Sequence, residues 1–288
     1  MISPVIVQSA LPSSDAASTD DKIIGLWLHN KSDHTQRSYR RTVADFRAFV
    51  GKPLRSVLLS DLQAYENSLT GKRSSRSVHV RAVQSLLAFC LRIGATDKNV
   101  GAALTIKKQP RNLAARILSE SEVQRMLALS EGREHALVRL CYGGGFRVSE
   151  LVALRWADIV EARDGGVFAT VIGKGEKIRT VRLSQDTANV LRELRAGADD
   201  TAYVLAKRNG KAIAAVSAWR MVARVARTAK IKRAVSPHFL RHSHASHALD
   251  HGSSLTLVRD TLGHASVATT DAYLHARPGE SSSKYLPV

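Results

Sequence analysis

Cysteine is scarce in this chain: 288 residues hold two, Cys90 and Cys141, set in the apolar, helix-like stretches SLLAFCLRIG and ALVRLCYGG. A disulfide framework or a thiolate metal site needs more of them at closer spacing, so both read as reduced core residues in a cytosolic compartment. Long apolar runs are missing too. No uninterrupted stretch is long enough to span a bilayer, and the opening MISPVIVQSALPSSDAASTDD lacks the basic start and apolar run of a signal peptide. Nor is there a GxxxxGK[ST] phosphate loop, because GKGEK lacks its spacing and its hydroxyl. No repeat of fixed period is present. Acidic residues are few: 25 Asp and Glu face 43 Lys and Arg, leaving a formal charge of +18. Such an excess marks a polyanionic partner, nucleic acid first. The charge is spread along folded-looking segments, whereas a ribosome-like or membrane-surface protein concentrates it in a tail or one amphipathic helix.

What is there, 44% of it hydrophobic, suffices for one large or two modest domains. Residues 1–20, rich in Ser, Ala and Asp, are expected to form a disordered tail. From Lys22 the pattern turns helical through IIGLWLHN, TQRSYRRTVADFRAFV, LSDLQAYENSL and SSRSVHVRAVQSLLAFCLRIG, predicting a four-helix unit over 21–106. Its second helix joins an apolar stripe (Tyr39, Val43, Phe46, Phe49, Val50) to Arg37, Arg40, Arg41 and Arg47. The segment 70–92 carries Lys72, Arg73, Arg76, Arg81 and Arg92 with no acid at all. A solvated helix face would mix in Glu for (i, i+4) pairing, so one strongly positive, phosphate-contacting face is expected. Residues 107–116, with Lys107, Lys108, Arg111 and Arg116 around the helix-blocking Pro110, read as a basic linker. The capping box of Ser119 and Glu122 then opens a second unit, 117–288.

In that unit REHALVRLCYGGG breaks at Gly143, Gly144 and Gly145 and restarts at FRVSELVALRW, the glycines allowing a tight turn beside Arg147. VFATVI and KIRTVRL alternate as strands around the turn GKGE, giving a hairpin with Lys174 near its tip. Helices follow at SQDTANVLRELRAG and VSAWRMVARVARTAKIK. Ser236 can then cap a helix that begins at Pro237 and ends by Gly252, placing His238 and Arg241 one turn apart on one face. A short helix from Leu255 to Leu262 stops at Gly263 and hands over to His264, after which Ser266 can cap a third, carrying Tyr273. The fold class is mainly α with a small β-hairpin.

Arg147, Lys174, His238, Arg241, His264 and Tyr273 suit a phosphodiester. Attack makes a five-coordinate phosphorane with extra negative charge, which two guanidiniums can grip. A free phenol has a pKa near 10, so roughly one in a thousand is ionised at pH 7 and Tyr273 needs help. His238 or His264 could accept its proton, and a cation such as Lys174 could protonate a departing 5′ oxygen. With that much fixed positive charge no metal is needed. Alone, each residue has a plainer reading: Arg147 as a helix-start ion pair with Glu150, Lys174 as a turn residue rivalled by Lys177 or Lys211, Tyr273 as a packed aromatic. The histidines at 238, 242, 244, 247 and 251 invite zinc, but HFLRH has Arg where a zincin needs Glu and no carboxylate lies at ligand spacing. His242, His244 and His247 read as core or interface residues.

GGGFRVSELVALRW, GKGEKIRTVRL, PHFLRHSHASHAL and VRDTLGHASVATTDAYLH, in this order, resemble the tyrosine site-specific recombinases, in particular the Xer-like branch of the phage-integrase family. The resemblance covers essentially the whole second unit, which it makes a catalytic domain. It implies that Tyr273 is the nucleophile, Arg147 and Arg241 the phosphate-binding arginines and Lys174 the general acid. His238 becomes the base or a phosphate donor, His264 the second histidine, and Glu150 a support for its neighbours. The first unit is similar to the family's core-binding domain, which implies DNA contacts from Arg37, Arg40, Arg41, Lys72, Arg73, Arg76, Arg81, Lys107, Lys108 and Arg111. Further implications are a 3′-phosphotyrosyl intermediate formed without ATP, cofactor or metal, two units clamping duplex DNA, and four protomers on two sites from a monomer or weak oligomer. The location would be cytoplasmic and nucleoid-associated. An arm-site-binding domain is not expected, and the ending SSSKYLPV either docks on a neighbouring protomer or frays. The alternatives are a type IB topoisomerase, a telomere resolvase, or a DNA-binding protein that does not cleave.

Overall fold

A computed structural model describes residues 13–106, 113–173, 175–264 and Tyr273, with side chains from Thr19 onward. The chain forms two compact units that part between Pro110 and Arg111.

The first unit holds α1 (Ser13–Leu28), α2 (Asp33–Val50), α3 (Leu59–Ser68) and α4 (Arg73–Arg92). Each offers an apolar stripe to one core, with Trp27, Phe46, Tyr65, Leu86 and Cys90 at its centre. Gly51 ends α2 in the left-handed region at φ 66°, where its N–H reaches the Arg47 carbonyl. Residues 13–20, expected to belong to the tail, are helical, because α1 starts at Ser13. Composition hides the reason, which is tertiary: buried Asp20 accepts the Leu54 N–H at 3.0 Å, and Asp21 pairs with Arg47 at 2.5 Å. Arg47 is therefore committed within the unit. Arg37, Arg40 and Arg41 are exposed, Arg37 and Arg41 on the side of α2 opposite buried Val43 and Phe46 and Arg40 on its flank. On α4, Lys72 and Arg73 are exposed and Arg76 is half-buried in line with Val80 and Val83. Arg81 lies five residues on from Arg76, roughly 140° around the helix. Arg73, Arg76 and Arg81 thus spread over an arc of roughly 140° on α4.

The second unit is built around α6 (Gly132–Gly143), which buries Leu137, Leu140 and Cys141 between α8 (Gln185–Arg195), α9 (Ala215–Thr228) and α10 (Pro237–Asp250). Before α6 comes α5 (Glu120–Ala128), whose capping box is complete: Ser119 Oγ accepts the Glu122 N–H at 3.1 Å while Glu122 accepts the Ser119 N–H at 2.8 Å. After α6 come α7 (Val148–Ala153) and an antiparallel sheet of β1 (Ile159–Glu161), β2 (Val167–Ile172) and β3 (Ile178–Leu183), in that order. β1 is an addition to the expected hairpin; three residues are too few to show alternation. The register pairs Val167 with Leu183 and Ile172 with Ile178, so Val167, Ala169, Val171, Val181 and Leu183 face the core. Ser236 occupies the N-cap of α10 ahead of Pro237, but its hydroxyl makes no capping bond. α11 (Leu255–Leu262) is capped by Ser254 and ends at Gly263. The helix expected from Ser266 lies outside the described residues, except for Tyr273, which is helical. Among the described residues no helix is long and apolar enough to cross a membrane.

Candidate active site

The last carbonyls of a helix lack intrahelical partners, and at the end of α11 arginines supply them. Arg179 Nε donates to the Thr261 carbonyl at 2.8 Å, Arg241 Nη2 to Leu262 at 2.6 Å and Arg147 Nη2 to Gly263 at 3.1 Å. These guanidiniums arrive from β3, α10 and the start of α7. Arg241 also donates to the Gly145 carbonyl. Gly145 has φ +60°, and a Cβ there would stand 2.7 Å from Leu262 Cδ2, so the turn before Arg147 requires glycine.

Glu150 is 4% exposed and ties two of these arginines together. Both its oxygens accept from Arg179 at 2.7 Å; Oε1 also accepts from Arg147 Nη1 at 2.8 Å and Oε2 from the Arg147 N–H at 2.7 Å. Burial by itself would raise this carboxyl, but the hydrogen bonds from Arg179 and Arg147 outweigh it and hold the group below its ordinary range. Burial, and then the neighbouring charge of Arg147, brings Arg241 down to about 9, still a cation at neutral pH.

The described site residues share one electrostatic neighbourhood. His264 is half-buried and lowered to about 4, by desolvation first and then by Arg241 and Arg147. His238 is exposed at the start of α10, and desolvation followed by the charges of Arg241, Arg147 and Arg116 lowers it. Tyr273 is 3% exposed, packed with Ala245, Leu249, Val258 and Leu262. Burial raises its phenol and Arg241 opposes the rise. Lys174 lies outside the described residues, as do Lys107, Lys108 and Arg111. A cavity of about 200 Å³ beside the site is lined by Gly173, Lys177, Arg179, Arg259, Gly263 and His264.

Two residues of the site escaped the sequence reading. His242, read there as core or interface, accepts or donates at Nδ1 to the Tyr273 hydroxyl at 2.6 Å, and burial lowers it to about 4. Arg179 was given no part at all. Its signal lay in the alternation of β3, where an arginine falls in phase with core-facing Val181 and Leu183 and so requires a buried acceptor. Three further histidines have protein partners: His244 bonds the Tyr142 carbonyl at 2.6 Å, His247 the Tyr142 hydroxyl at 2.9 Å and His251, just after α10, the Glu120 carboxylate at 2.6 Å. Among the described residues no three His, Cys, Asp or Glu side chains gather as metal ligands.

Residues 116–280 match the phage integrase family. Tyrosine recombinase XerD of Ralstonia nicotianae is 32% identical over 92% of this chain and 91% of its own length. Tyrosine recombinase XerC of Mycobacterium bovis is 31% identical over 85% of this chain and 89% of its own. A solved lambda integrase dimer bound to a COC′ core site is similar with a TM-score of 0.75 at 18% identity, covering 92% of this chain and 96% of that one, a likeness that shows the fold. With the family matched over more than half of the chain, and relatives above 30% identity over most of its length, the chain belongs to the phage integrase family, in the Xer-like branch of the tyrosine recombinases, and is a site-specific DNA recombinase.

Proposed function

We propose that this recombinase cuts duplex DNA by attack of the Tyr273 oxygen on the scissile phosphorus. The O–P bond to tyrosine forms, the P–O5′ bond breaks, and a 3′-phosphotyrosyl link and a free 5′ hydroxyl result. The phenolic proton passes to a neighbouring imidazole, His238 or His264, and Lys174 returns a proton to the departing 5′ oxygen. Arg147 and Arg241 bind the non-bridging oxygens, and Glu150 keeps Arg147 in place. The later attack by a 5′ hydroxyl of the partner duplex reverses these bonds, so the link conserves the energy of the phosphodiester.

The observation that carries the reading is the convergence of Arg147 and Arg241 on the end of α11 beside His264, with Tyr273 inside the field of Arg241. The buried phenol has to swing from His242 to meet a phosphate, and the arginines have to exchange backbone carbonyls for phosphoryl oxygens. Arg37, Arg40, Arg41, Lys72, Arg73, Arg76 and Arg81, with Lys107, Lys108 and Arg111, contact the DNA backbone. Four protomers act on two sites, a reading supported by a solved lambda integrase tetramer bound to a Holliday junction. The +18 charge favours a place on the nucleoid in the cytoplasm. The test is selection of bound and cleaved sequences from a random duplex library, with the covalent adduct located by mass spectrometry. An adduct on Tyr273 is expected; an adduct elsewhere, or none, overturns the assignment.

A further inference from the structure

We propose that Arg179 is a positioning residue for strand cleavage: it sets Arg147 and the last turn of α11, and through that turn His264, in the geometry a bound phosphate needs. The inference rests on the functional reading above, which makes Arg147 and His264 phosphate-facing groups.

All three nitrogens of Arg179 are committed to protein. Nη1 and Nη2 fork onto the two Glu150 oxygens at 2.7 Å each, and Nε caps the Thr261 carbonyl at 2.8 Å. The guanidinium lies 5.7 Å from the centre of the Phe146 ring, and its side chain is 11% exposed. Neighbouring backbone is fitted to it, since a Cβ on Gly263 would stand 3.1 Å from Arg179 Cδ. Glu150 continues the chain to Arg147, which reaches the Gly263 carbonyl. The bonds therefore close a loop from Thr261 through Arg179, Glu150 and Arg147 back to Gly263, with His264 the next residue.

The charge count explains why an arginine is needed at that point. Glu150 carries one negative charge, and Arg179 holds it by both oxygens. Arg147 then spends one Nη on Glu150, and together with Arg241 it keeps positive charge for a phosphate. Without Arg179 the buried carboxylate would be left to Arg147 alone. Carboxylate and guanidinium prefer two parallel bonds, so Arg147 would turn its second Nη onto Oε2 and lose both its direction and its net charge. Thr261 would lose its donor at the same time, loosening the turn that ends in His264.

The experiment traps covalent protein on a pool of random-sequence nicked duplexes, from which the short 5′-hydroxyl fragment diffuses away, and measures binding to the same pool. Arg179→Met is expected to bind within a few-fold of the unmodified chain and to form adduct roughly ten- to a hundredfold more slowly, the scale set by an ångström of misplacement. Arg179→Lys keeps the charge without the fork, so it is expected to fold and still cleave slowly; it decides the matter if the Met variant fails to fold. Adding Glu150→Gln to Arg179→Met is expected to recover part of the rate, because a neutral amide no longer draws Arg147 away. Adduct formation at the unmodified rate in the Lys variant, affinity falling in step with rate, or a double variant slower than the Met variant would each overturn the proposal. Arg147→Ala in the same assay separates the two readings. If it traps normally, or if the unmodified chain traps nothing, the site assignment fails and this inference with it; if it is inactive while Arg179→Lys is fully active, only the inference fails.

Discussion

At Tyr273 burial and reactivity oppose each other. The phenol is held among apolar side chains with its hydroxyl on His242, whose pKa is brought down to about 4. Burial raises the phenol and lowers the imidazole, so passing the proton from one to the other is disfavoured in the resting chain. In this buried resting arrangement His242 holds the phenol by one hydrogen bond. Tyr273→Phe is expected to abolish the covalent adduct while DNA binding persists. Leaving the His242 nitrogen without its partner should also cost about 1 kcal/mol in urea unfolding. Unchanged stability would show that the bond to His242 contributes nothing to the resting chain.

The histidines also set an acid limit. His242, His244 and His264 are each lowered from 6.5 to about 4 in the folded chain, by burial first. Between those values the unfolded chain binds more protons, so stability is full above about 6.5 and falls as pH drops toward 4. Glu150, lowered below its ordinary value, adds a further loss below that range. Denaturation midpoints taken from pH 7 to pH 4 are expected to fall steadily; a flat profile would contradict the buried neutral histidines.

Among the elements, α11 is the one whose end matters more than its length. Its eight residues finish in Gly263 at φ +61°, and that turn presents the carbonyls of Thr261, Leu262 and Gly263 to the arginines. Gly263→Ala would strain the left-handed turn and press a methyl against Arg179, costing roughly 1–2 kcal/mol and slowing cleavage. Equal stability and rate would remove the turn from the mechanism. In the first unit α1 makes the same point. Asp20→Ala leaves the Leu54 N–H buried without an acceptor and is expected to destabilise that unit by about 1–3 kcal/mol, measured by its thermal unfolding. Strong local signals, such as the capping box at Ser119, the alternation of VFATVI and the glycine after Leu262, were legible because they act over a few residues. The start of α1, strand β1 and the part played by Arg179 were not, since each depends on a partner distant in sequence.

Over the whole molecule the excess of 18 positive charges makes association with DNA an ion-exchange process. Each phosphate contact contributes a slope of about −0.9 to log affinity against log salt. Replacing Arg37, Arg40 and Arg41 together with Ala is expected to reduce that slope by about two or three while leaving the cleavage rate of bound DNA unchanged. A slope that does not move would place these exposed residues away from the phosphates.

Most of the helices, the hairpin, the family, and an ordered set of residues whose side chains suit a phosphodiester are legible along the chain, because spacing, charge and residue type are written there. Packing alone clamps the end of α11 with guanidiniums from three other elements and rests the buried Tyr273 on His242. A hydrogen bond depends on where two atoms meet in space, and a pKa on what surrounds the group; neither distance nor desolvation exists until residues a hundred positions apart are packed together.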